Sequence, residues 1–97
     1  MRASRYVARR FNTRYGLSDL YFAIEVWLSL EKLDMARSLV SRCLRGIEEA
    51  EYPEMSVILI HCLARYCNKI EPSDEALYVR RKLRRLVIQI SLELSRT

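Results

Sequence analysis

The sequence predicts an all-α fold of about five helices paired as antiparallel hairpins. Only two Gly and two Pro occur in 97 residues, too few for an all-β chain that turns about every 8–12 residues. Apolar residues instead recur at helical spacing along most of the chain. At 51 % apolar and 30 % charged, the balance is that of a globular chain with one core.

The first helix is expected from Ser4 to Tyr15, where Val7, Ala8, Phe11 and Tyr15 share a stripe and Gly16 supplies a stop. Ser18 is then the expected N-cap of a second helix that runs to about Glu31. After a Lys32-Leu33-Asp34 link, with Asp34 as cap, the third helix spans Met35 to about Glu51. It gathers Ala36, Leu39, Val40, Cys43, Leu44 and Ile47 on one face. Pro53 suits the first turn of a fourth helix that reaches about Cys67, and Asn68 to Pro72 breaks the pattern. Ser73-Asp74-Glu75 caps a fifth helix that runs to about Leu94, with Val79, Leu83, Leu86, Val87, Ile90 and Leu94 as its apolar face. Residues 86–94 also alternate like a strand, but no second strand is at hand to pair with them.

Charge is placed unevenly. Arg2, Arg5, Arg9, Arg10 and Arg14 stand in an acid-free opening, while the rest of the chain balances and the total is +5. Such an arm suits nucleic acid, an acidic partner or a membrane surface, and it has the look of a mitochondrial presequence. A second cluster, Arg80, Arg81, Lys82, Arg84 and Arg85, lies opposite the apolar face of its helix. No stretch has the roughly 18 apolar residues of a membrane span. Cys43, Cys62 and Cys67 are odd in number and unclustered, as expected of buried thiols in a reduced, cytoplasmic chain rather than a disulfide framework or metal site. With one His and three Asp, no nucleophile–base pair or carboxylate pair can be assembled. The chain is expected to be a binding module, with no catalytic residue, metal or cofactor.

An internal repeat runs through residues 18–95. Aligning Ala36 with Ala76, an offset of 40, superposes Leu20 on Ile60, Ala23 on Leu63 and Ile24 on Ala64. These residues, with Trp27 and Leu33, resemble the motif of the tetratricopeptide (TPR) repeat, although the period is longer and the motif Gly and Pro are missing. The resemblance implies one TPR-like domain over 1–97: a basic arm or helix at 1–16, a hairpin at 18–51 and a second at 53–95. In TPR-like hairpins the leading helix lines a concave face. Carried over residue by residue, that face presents Tyr21, Glu25, Leu28 and Ser29, then Ile58, His61, Arg65 and Asn68. An apolar floor with polar posts suits an amphipathic helix. Leu28 and Ile58 are the expected anchors, open to water when the groove is empty. The leading helices are also unusually apolar, nine of eleven residues in 20–30 and ten of thirteen in 55–67, more than a small core needs.

Tyr52-Pro53-Glu54-Met55, Leu59, Cys62, Arg65, Tyr66, Ala76-Leu77 and Arg80 are similar to the final helical pair of a family of small TPR-type chaperones. That family protects the needle subunit of bacterial type III secretion systems, a virulence machinery. The resemblance implies a cytoplasmic chaperone that holds the subunit's amphipathic helix and keeps it from polymerising early, with a second small co-chaperone alongside. The alternative from another class is a small basic nucleic-acid-binding protein whose third helix reads through Arg37, Arg42 and Arg45. Glu48, Glu49 and Glu51 on that helix oppose phosphate.

Overall fold

A computed structural model describes residues 14–50 and 53–95. It is all-helical over these residues: α1 (Arg14–Ser29), α2 (Leu33–Glu49), α3 (Pro53–Ile70) and α4 (Asp74–Ser95). Four helices, not five, are therefore found among the described residues. The Arg-rich opening and most of the expected Ser4–Tyr15 helix lie outside them. Gly16 does not stop a helix, and Ser18 does not cap one; both are inside α1. A glycine within a helix costs about 1 kcal/mol relative to alanine. Here the neighbouring Leu17 and Leu20 are both completely buried, a larger gain than that cost.

The first turn closes where the sequence still looks helical. Glu31 takes a left-handed conformation, φ 58°. Lys32 N donates to Trp27 O at 2.9 Å and Glu31 N to Leu28 O at 3.1 Å, the hydrogen-bond pattern of a Schellman helix end. That geometry restarts the chain at once, so Lys32 rather than Asp34 occupies the N-cap position of α2, without a side-chain cap bond. Asp34 sits in the first turn, where its carboxylate faces the positive helix end. Pro53 opens α3 as expected, but the helix continues past Cys67 to Ile70. Lys69, in that added turn, reaches Glu31 at 2.7 Å and ties it to the first hairpin. Ser73 caps α4 as expected, its Oγ accepting from Ala76 N at 3.1 Å. Residues 86–94 are helical.

Each helix packs on the next, α1 also packs on α3, and α2 more lightly on α4, so α3 touches all the others. The core joins Leu17, Leu20, Ile24 and Leu28 of α1 to Ala36, Val40, Cys43 and Ile47 of α2. Leu59, Cys62, Leu63, Tyr66 and Cys67 of α3 and Ala76, Val79, Leu83 and Leu86 of α4 complete it. Ala36 and Ala76, small and buried, let each hairpin close tightly. Gly46 serves the junction of three helices: a Cβ there would stand 2.8 Å from a Leu17 methyl, with Leu59 of α3 also in reach.

On α4 the expected apolar face is only partly covered. Val79, Leu83 and Leu86 are buried, but Val87 is 43 % and Leu94 53 % exposed. For Leu94 the cause is length: α4 has 22 residues against 18 in α3, so its last turn outruns the helix that covers it. Val87 lies alongside α3 on the face of the second hairpin that no described residue covers. Among the described residues no helix is long and apolar enough to cross a membrane.

Candidate partner-binding face

The open surface of α3 is set by its own period. Glu54, Ile58, His61, Arg65 and Asn68 recur at steps of four and three, which places them on one stripe. All five are exposed. The α3 half of the expected groove is therefore open to water, and Val57 beside it is 41 % exposed.

The α1 half differs. Leu28 is 1 % exposed and belongs to the core, so it is not a groove anchor. Tyr21 and Glu25 are half-buried and only Ser29 is exposed. The reason is the tilt of the stripe: Leu17, Leu28 and Glu25 lie on the side of α1 that α3 covers. Glu25 accepts hydrogen bonds from the Arg65 guanidinium and from the Cys62 thiol at 3.2 Å. The Arg65 bond holds the Glu25 carboxyl below its ordinary range, against burial that pushes it up. Two expected groove posts, Glu25 and Arg65, thus neutralise each other across the α1–α3 seam. They are also exact counterparts in the 40-residue repeat, one acidic and one basic; that pairing of signs was the available signal for the contact.

Asn68 is drawn toward α4. Its Oδ1 accepts from Arg80 at 2.6 Å, and Arg80 also pairs with Glu71. Between α2 and α4 runs a shallow groove whose charges alternate, with Arg37, Arg45 and Lys82 among Glu48 and Glu75. Arg37 pairs with Glu75 at 3.3 Å, and Glu75 in turn accepts from the Tyr66 hydroxyl at 2.8 Å. One of the three arginines expected to read nucleic acid is thereby committed to an internal pair.

The cysteines are free and buried. Burial pushes the Cys43 thiol up to about 12 and raises Cys62 and Cys67 as well. They lack the lowered thiol of a nucleophile. Among the described residues no cluster of His, Cys, Asp and Glu is arranged to hold a metal. Comparison of the chain with protein-family models, with curated proteins and with solved structures finds no match.

Proposed function

We propose that this chain is a TPR-like, non-enzymatic binding module that holds an amphipathic helix of a protein partner along the open stripe of α3. The observation that supports this reading most is the stripe itself. Ile58, His61 and Arg65 stand exposed on a helix that is itself packed against α1, α2 and α4, so a ligand there meets a rigid, preorganised surface. Ile58 gives an apolar contact and the posts fix orientation. By its sequence resemblance the partner is the needle subunit of a type III secretion system, held monomeric in the bacterial cytoplasm.

The test is a pull-down of a needle subunit with the tagged chain and with Ile58→Glu. Because Ile58 is already partly in water, the variant keeps native helicity by circular dichroism. Loss of the partner at native helicity supports the reading, and undiminished capture refutes the stripe. Strong, salt-sensitive binding to generic DNA in place of the subunit favours the nucleic-acid reading, through the exposed Arg81, Lys82, Arg84 and Arg85.

A further inference from the structure

The 40-residue offset makes each position of the first hairpin comparable with one of the second, and their burial differs in one respect. The first hairpin is a seat for α3. Leu17, Leu20 and Ile24 of α1 are each 0 % exposed, and Ile47 of α2 is 3 % exposed, beneath α3. The counterparts in the second hairpin are Val57, Ile60, Ala64 and Val87. They are apolar too, yet Val57 and Val87 are 41 % and 43 % exposed, and Ile60 and Ala64 are half-buried. The second hairpin carries a seat with nothing on it among the described residues.

The matching surface is at the other end. α3 enters its seat through Cys62 and Tyr66, both 1 % exposed, with Ile70 half-buried behind them. Their counterparts on α1 are Phe22, Val26 and Leu30. Phe22 is 69 % and Leu30 58 % exposed, a stripe at four-residue spacing that faces away from the core.

We infer that the chain associates head to tail with a second copy, the Phe22–Val26–Leu30 stripe of one α1 seating on Val57, Ile60 and Val87 of the next. The contact repeats the α1–α3 packing already inside the molecule. The second seat is shallower than the first. Leu86 replaces Gly46, Asn68 replaces Leu28, and Asp19 stands where α3 has Leu59. The incoming helix therefore rides higher and buries less, so association is reversible and set by concentration. It is also heterologous, with different surfaces on the two sides, and so is open-ended.

That asymmetry gives the test. Sedimentation of the full chain alone should show its average mass rising as concentration increases about fifty-fold from about 10 µM. Phe22→Glu spoils only the stripe and Val87→Glu only the seat. Each variant alone should stay monomeric with native circular dichroism, and a mixture of the two should form a closed dimer, since one intact stripe and one intact seat remain. Should either glutamate unfold the chain, Phe22→Ser and Val87→Ser serve in the same mixing experiment. A monomeric wild type over the whole range overturns the inference, as does a dimer whose variants fail to complement. The outcome is independent of the partner pull-down, so either proposal can fail without the other.

Discussion

Glu25 concentrates the electrostatics of the α1–α3 seam in one carboxylate. It accepts from Arg65 and Cys62 together, and its folded affinity for a proton lies below the ordinary value of 4.5. A carboxyl depressed on folding contributes stability above that ordinary value, and the contribution is lost as pH falls through the folded value. Melting temperature is therefore expected to fall below about pH 4.5. Glu25→Gln should be less stable than the wild type at pH 7 and flatter across the acid limb. The buried thiols act at the other end of the scale. In the unfolded chain they ionise near 9, but Cys43 in the core resists ionisation to about 12. Above pH 9 the folded state thus holds more protons, and stability should decline as pH rises. Aromatic disulfide reagents at pH 8 should leave the native thiols unmodified within the assay and titrate all three once denaturant is added.

At the scale of the helix, packing overrules local preference in both directions. Gly46 is unfavourable for α2 taken alone, yet it admits Leu17 and Leu59 to the same spot. Gly46→Val places a branched side chain against a fully buried leucine. We expect it to destabilise the chain by roughly 2–3 kcal/mol despite better helix propensity, as read by urea denaturation. Ser73→Ala removes the cap bond of α4 and should cost about 1 kcal/mol. The same contest explains which elements were legible. The period of 3.6 located all four described helices, the Ser73 cap and the α2 face, because amphipathic burial fixes them. Gly16 and Glu31 misled in opposite senses: a glycine stayed helical under buried leucines, and a glutamate took the left-handed turn that glycine normally takes. Leu28 was misplaced because an apolar helix has no polar side to mark which flank meets its neighbour. On α3 the expected residues Ile58, His61, Arg65 and Asn68 are all exposed, because the polar ones mark the wet side; Glu54, on the same stripe, was not among them.

The whole molecule depends on α3. It covers the first hairpin and seats the second, while α1 and α4 do not pack on each other among the described residues. A chain ended at residue 52 keeps both helices of the first hairpin but leaves Leu17, Ile24 and Ile47 without their cover. We expect it to lose cooperative thermal melting and most of its helicity, since a single hairpin buries too little apolar surface to hold itself. Most of the packing joins successive helices, which keeps most loop closures short and favours fast folding. Speed is then limited by supply. During synthesis the first hairpin leaves the ribosome before α3 does, and at about 5–20 residues per second the twenty or so residues to the end of α3 take roughly one to four seconds to follow. For that interval the bare leucines of α1 are the most adhesive surface of the nascent chain, and the arrival of Ile70 withdraws them.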